Sequence, residues 1–227
     1  MFAVNSPSCR FVVLISGRGS NLQAIVQALR ERVPSAQVCA VIANTAGAQG
    51  LAWASEQGIT ATLVPHGDYA TRNQFDQALA GAIDAHRPDY VLLAGFMRIL
   101  TDEFVEHFSG RLINVHPSLL PSFPGLHTHR QALEAGVQWH GCTVHFVTPT
   151  LDHGPIIAQG IVPVLADDTP ASLAERLLEV EHQVYAQVAC WLAEGRVTLD
   201  ARQRVQVQGV PTRSYMNMIA PQGAQAE

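Results

Sequence analysis

Charge is scarce in this 227-residue chain: Asp, Glu, Lys and Arg together make up 15% of it, against 48% hydrophobic residues. Disordered chains have the opposite balance, so a folded core is expected. The net charge of −5 comes with no basic patch, which argues against a nucleic-acid partner. Cysteine is sparse too. Cys9, Cys39, Cys142 and Cys190 form no C-x-x-C pair, which points to a reduced, cytoplasmic chain without a disulfide framework. Cys39 and Cys190 lie in apolar stretches and read as small core residues. The opening MFAVNSPSCR has no apolar segment of signal-peptide length, and Tyr90 to Met97, the longest strongly apolar stretch, is too short to span a bilayer. No membrane partner and no internal repeat are expected.

Several catalytic motifs are also missing. No G-x-S-x-G elbow supplies a serine nucleophile, and no GK[ST] closes a Walker loop. The ten histidines include His127, His129, His140 and His145, but no H-E-x-x-H occurs and the cysteines are badly spaced to join them, so no metal is expected. His145 and His182 read as packing and hydrogen-bonding residues, and His66, His86 and His107 as surface or helix-end residues.

What the chain does have is alternation of strands and helices. Phe11–Ile15 (FVVLI), Val38–Ala43, Thr60–Val64, Tyr90–Ala94 and Leu112–Val115 are short apolar runs of strand length. A run without polar alternation suits a strand covered on both faces. Helical patterns lie between them: Leu22 to about Arg32, Gly50–Gln57, the four-residue repeat of Phe75, Leu79 and Ile83, and a short helix over Thr101–Phe108 capped by Thr101. This order predicts an α/β fold with a doubly wound, mainly parallel sheet and helices on both faces. Ligands in such folds sit beyond the carboxyl ends of the strands. Pro117–Gly125 holds three prolines and reads as an ordered loop. Val144–Thr148 and Gly160–Leu165 are further strands, antiparallel ones being an option, Leu173 to Trp191 marks a long amphipathic helix, and Arg196–Val207 fits a hairpin. One domain is expected over residues 11–207, with a loose extension at 1–10 and a tail at 208–227, frayed at APQGAQAE.

Three strand ends carry polar or unusual sequence. Ser16-Gly17-Arg18-Gly19-Ser20-Asn21 can present backbone N–H groups to an anion at a helix start, or can be a plain turn capped by Ser20 or Asn21. Asn114 and His116 at positions i and i+2 of one strand point the same way, as an oxyanion donor and an acid–base group would, or as local turn residues. Gly95–Leu100 (GFMRIL) can line a slot for a flat heterocycle or simply pack. Asp152, before His153-Gly154-Pro155, is a turn residue or a carboxylate that raises the His116 pKa from 36 positions away.

Taken together, VLISGRGSNLQAI (13–25), LAGFMRIL (93–100), INVHPSLLPSFPGLHTHRQALEAG (113–136), GCTVHFVTPTLDHGPII (141–157) and EHQVYAQV (181–188) resemble the folate-dependent phosphoribosylglycinamide formyltransferase family, from about Phe11 to Leu199. The resemblance implies formyl transfer from 10-formyltetrahydrofolate, as co-substrate, to glycinamide ribonucleotide, with small molecules as partners. It implies Asn114, His116 and Asp152 as the catalytic trio, and Gly19, Ser20 and Asn21 as phosphate ligands. Glu181 would lie near the ribose. Arg72, Met97, Arg98, Ile99 and Leu100 would contact folate, the last four largely through backbone, together with Asn114. Arg18 falls at a variable position of that loop. A 10-formyltetrahydrofolate hydrolase is the nearest alternative, but such enzymes resemble this one with an added N-terminal regulatory domain, for which about ten residues before Phe11 leave no room. Methionyl-tRNA formyltransferases add a C-terminal RNA-binding domain and positive charge. A non-catalytic phosphate sensor would need the glycine loop without the trio.

Overall fold

The computed structural model describes residues 9–211 and 214–216. The chain runs β1 (Arg10–Ile15), α1 (Ser20–Arg32), β2 (Gln37–Ala43), α2 (Gln49–Glu56), β3 (Thr60–Leu63), a 3-10 turn (His66–Asp68), α3 (Arg72–Asp84), β4 (Tyr90–Leu93), α4 (Asp102–His107), β5 (Leu112–His116), α5 (Thr128–Glu134), β6 (Trp139–Phe146), β7 (Ile156–Pro163), α6 (Pro170–Ala193), β8 (Val197–Leu199), β9 (Val205–Val207) and β10 (Ser214–Met216). Eight strands form one sheet in the order β10-β7-β6-β5-β4-β1-β2-β3, and β8 and β9 pair separately as an antiparallel hairpin. From β3 to β5 all pairs are parallel, whereas β6 is antiparallel to both β5 and β7.

Strand β1 is apolar throughout because both its faces are covered. Phe11, Val13 and Ile15 join the core beneath α1 and α6, while Val12 and Leu14 meet Phe75 and Leu79 of α3 and Phe108 beside α4. The chain winds from β1 through β2 to β3, then crosses to β4 and β5, so the switch point falls between β1 and β4. Helix α6 starts at a capping box of Thr169 and Ser172, with Pro170 in its first turn. Its fully buried Tyr185 donates to the carbonyls of Leu93 (3.2 Å) and Ile113 (3.1 Å), which ties the helix to β4 and β5.

Five elements differ from expectation. Strand β6 starts at Trp139, earlier than its apolar run suggests, because the buried polar residues His140 and Thr143 interrupt the hydrophobic pattern, and β7 starts earlier too, at Ile156. Helix α5 was not expected, its THRQALE sequence being short and weakly apolar. Arg10 belongs to β1, where its N–H donates to Asp89 at 2.7 Å, and β10 lies in the stretch expected as a tail yet runs parallel to β7. Residues 1–8 and the APQGAQAE end lie outside the described residues.

Candidate active site

The glycine-rich turn after β1 is held open by backbone geometry. Gly19 takes the N-cap position of α1 with φ 77°, and no side chain caps the helix, so neither Ser20 nor Asn21 plays the capping role. The first N–H groups of α1 are thereby left for an external acceptor. A Cβ on Gly19 would also stand 3.1 Å from the Cα of Gly50, whose own N–H donates to Gly17 O at 3.1 Å. Arg18 beside it is exposed. Asn21 turns inward instead: its Nδ2 donates to Glu181 Oε2 at 3.1 Å, and its buried Oδ1 has no partner among the described residues. Burial pushes the Glu181 carboxyl up to about 7, opposed by that Asn21 bond. The structure thus joins the residue that the resemblance assigns to the phosphate with the one that it assigns to the ribose.

The segment after β4 alternates. Met97 and Ile99 are 74% and 60% exposed, whereas Phe96 and Leu100 pack on the α3–α4 core. The Arg98 guanidinium lies 5.8 Å from the Phe75 ring centre, so its side chain also turns back. Of the four residues expected to meet folate largely through backbone, Met97 and Ile99 also present their side chains outward. The far end of the segment is fixed by Thr101 N–H, which donates to the buried Asp76 carboxylate at 2.6 Å. Arg72 is exposed in the first turn of α3, which packs against α4 and the 3-10 turn.

Asn114, His116, Thr143 and His145 share one face of β5 and β6, since Asn114 is paired with His145 and His116 with Thr143. The intervening Ile113, Val115 and Val144 face the other way, into the core under α6. The polar cluster therefore lies on one face of the sheet at the carboxyl end of β5, a strand that the α3–α4 core reaches only at Leu112. Two loops roof it instead. Leu120 N–H donates to Thr143 Oγ1 (3.0 Å), Thr143 Oγ1 donates to Ser118 O (2.7 Å), and Gln159 Nε2 donates to Leu120 O (3.0 Å), which holds the Pro117–Gly125 loop. That loop contains a cis Leu120-Pro121 bond and Phe123 at φ 52°.

The second loop brings Asp152 across. Gly154 sits so close to β6 that a Cβ there would be 1.7 Å from Phe146 O, and Phe146 N–H donates to Pro155 O at 3.0 Å. Only glycine allows that approach, which sets Asp152 (φ 54°) over the cluster. Its Oδ1 lies 3.6 Å from His116 Nδ1, both side chains being buried, and its Oδ2 accepts from Gly125 N at 2.8 Å. His116 Nε2 meets Phe123 O at 3.0 Å. Both ring nitrogens thus face oxygens, Nε2 at hydrogen-bond distance and Nδ1 at ion-pair distance.

His145 contributes what the sequence reading did not assign. Its Nδ1 can only donate to Phe146 O (2.9 Å), which leaves Nε2 as an acceptor for Asn114 Nδ2 at 3.4 Å. Burial pushes the His145 imidazole below its ordinary 6.5, so it stays neutral and orients the Asn114 amide. His129 Nδ1 and His140 Nε2 meet at 3.2 Å, and burial, then repulsion from His129, takes His140 down to about 4. Among the described residues, no group of three or more His, Cys, Asp or Glu side chains is gathered as a metal site requires. No helix among them is long and apolar enough to cross a membrane.

Residues 9–189 match the model of the formyl transferase family. The chain is 50% identical over 188 residues to phosphoribosylglycinamide formyltransferase of Escherichia coli (strain K12), covering 83% of this chain and 89% of that protein. It is 44% identical to the human trifunctional purine biosynthetic protein adenosine-3, over 90% of this chain but 20% of that protein. The solved phosphoribosylglycinamide formyltransferase of Coxiella burnetii superposes with a TM-score of 0.84 at 42% identity, covering 92% of this chain and 99% of that one. A formyltetrahydrofolate deformylase from Pseudomonas putida KT2440 reaches 0.79 at 29% identity, over 91% of this chain and 72% of that one. With most of its length in the matched region and half of its 188 aligned residues identical to one such enzyme, this chain belongs to the phosphoribosylglycinamide formyltransferases of the formyl transferase family.

Proposed function

We propose that the chain transfers the formyl group of 10-formyltetrahydrofolate to the amine of glycinamide ribonucleotide, giving formylglycinamide ribonucleotide and tetrahydrofolate in de novo purine biosynthesis. The observation that carries this reading is the roofed cluster of Asn114, His116 and Asp152, with His116 Nδ1 3.6 Å from Asp152 Oδ1. The phosphate sits on the first N–H groups of α1 at Gly19, Ser20 and Asn21, and Glu181 faces the ribose. The folate lies along Met97–Leu100, with Arg72 toward its acidic end.

The neutral amine attacks the formyl carbon, and charge builds on the formyl oxygen. Asn114 Nδ2, oriented by His145, donates to that oxygen; His116 Nε2 exchanges its contact with Phe123 O for the same atom. The new C–N bond forms as the bond to folate N10 breaks. The amine loses one proton and N10 gains one, carried by His116 or by a water held at Asp152. No covalent enzyme intermediate and no metal enter the scheme.

The test mixes protein, 10-formyltetrahydrofolate and glycinamide ribonucleotide and follows folate absorbance. Turnover that requires the amine and survives a chelator is expected. Formyl loss without the amine would assign a hydrolase instead. Activity lost on chelation and restored by zinc would overturn the metal-free scheme.

A further inference from the structure

Ser16 stands where β1 ends, at the switch point, and bonds to the ends of both neighbouring strands. Beyond β4, its N–H donates to Gly95 O (3.1 Å) and its Oγ accepts from Met97 N (2.8 Å). Beyond β2, its Oγ–H donates to Asn44 Oδ1 (2.6 Å) and its carbonyl accepts from Thr45 Oγ1 (3.0 Å). A hydroxyl has one proton, so the proton given to Asn44 leaves only lone pairs for Met97 N–H. Asn44 is 2% exposed and its backbone carbonyl accepts from His66 N at 3.2 Å, so the residue that receives the hydroxyl proton is buried and tied to the 3-10 turn. One residue later the glycine loop is fastened to α2 through Gly17 O and Gly50 N. The same side chain therefore anchors the first residue of the exposed Met97–Leu100 segment to the root of the phosphate loop.

We propose that Ser16 is a positioning residue that couples the two substrate subsites: through Met97 N–H it ties the folate wall to the nucleotide loop, so that filling either one steadies the other. This rests on the assignment of those two segments made above. Met97 and Ile99 are largely exposed and gain their support from Ser16 at one end and Asp76 at the other. A ligand that immobilises the glycine loop steadies Ser16, and the folate wall is then less costly to order. Linkage requires the effect to be reciprocal, with each ligand tightening the other by the same factor.

Tetrahydrofolate, which carries no formyl group, serves as an unreactive probe beside glycinamide ribonucleotide in calorimetric titrations of the full chain. In the wild-type protein each ligand is expected to lower the other's Kd. Ser16→Ala is expected to raise the tetrahydrofolate Kd about tenfold, as loss of one hydrogen bond does, and to bring the mutual factor to one. Ser16→Thr keeps the hydroxyl and restores both. Ser16→Cys, similar in size but a weak acceptor, behaves like Ser16→Ala and replaces it should the alanine variant fail to fold. A general loosening would weaken both ligands alike and leave the mutual factor in place, and that result overturns the proposal. So does a wild-type mutual factor of one, or wild-type tetrahydrofolate affinity in Ser16→Cys. Wild-type turnover is measured first: a protein that makes no formylglycinamide ribonucleotide overturns the functional assignment, and not the coupling alone.

Discussion

The two sides of the site are built by different means. On the β1 side, the expected phosphate contacts are backbone N–H groups at a helix start, supplied by a regular strand-turn-helix unit with glycine at the one left-handed position, φ 77° at Gly19. On the β5–β6 side, the polar groups are side chains held under two irregular loops, where non-glycine residues adopt left-handed backbone: Phe123 at 52°, His127 at 59° and Asp152 at 54°. Such conformations cost about 1–2 kcal/mol each. Binding an anion uses groups that every residue carries and needs only a shape. Placing an amide, an imidazole and a carboxylate around one carbonyl needs chosen side chains, and the backbone bends to deliver them.

Substitutions can break that contrast, and the largest effect is expected at Asn114. Asn114→Ala should lower kcat by about 10²–10³-fold, or about 3–4 kcal/mol of barrier, with a much smaller change in the nucleotide KM. Steady-state kinetics with each substrate varied checks it; a loss confined to the nucleotide KM would mean that the β5–β6 face binds and does not react.

Glu181→Gln tests the buried contact of α6 with α1 through stability. The Glu181 carboxyl is raised from 4.5 to about 7 by burial, so the folded state binds the extra proton between those values. Its contribution is complete below pH 4.5 and is lost as pH rises through about 7, where the buried carboxylate costs about 3 kcal/mol. The glutamine variant should therefore be more stable than wild type by about that amount at pH 8 and equal to it near pH 4. Urea denaturation at the two pH values measures this, and equal gains at both would remove burial of the charge as the cause.

Two backbone substitutions sharpen the contrast from opposite signs. Gly19→Ala forces a Cβ into left-handed backbone 3.1 Å from Gly50 Cα and should cost about 1–2 kcal/mol, while raising the nucleotide KM. His127→Gly relieves φ 59° at an exposed position and should stabilise by about 1 kcal/mol, or roughly 3 °C in Tm. Thermal melting of both reads the strain directly; two destabilised variants would show that the irregular loops are unstrained.

The sequence made the regular side legible. Apolar runs such as FVVLI mark strands covered on both faces, and the four-residue repeat of Phe75, Leu79 and Ile83 marks α3, because solvent exclusion acts through side-chain periodicity. The irregular side was legible only through motif resemblance. Its strand β6 carries His140 and Thr143, buried polar residues that broke the apolar pattern that would have revealed it. The meeting of His116 with Asp152 depends on a loop folding back past Gly154, a close approach no periodicity encodes. His145 read as a packing and hydrogen-bonding residue, but its partner Asn114, 31 positions away, is named only by the pairing of β5 with β6. Asn21 and Glu181 lie 160 positions apart, and only the contact of α1 with α6 brings them together.

The Gly125–Asp152 bond gives the carboxylate a second task, as a non-covalent cross-link between the two roofing loops. Every replacement at 152 therefore changes the freedom of the peptide chain as well as the charge beside the imidazole. The amide proton of Gly125 keeps separate account of the first effect: its exchange with deuterated solvent follows the integrity of the cross-link without any turnover.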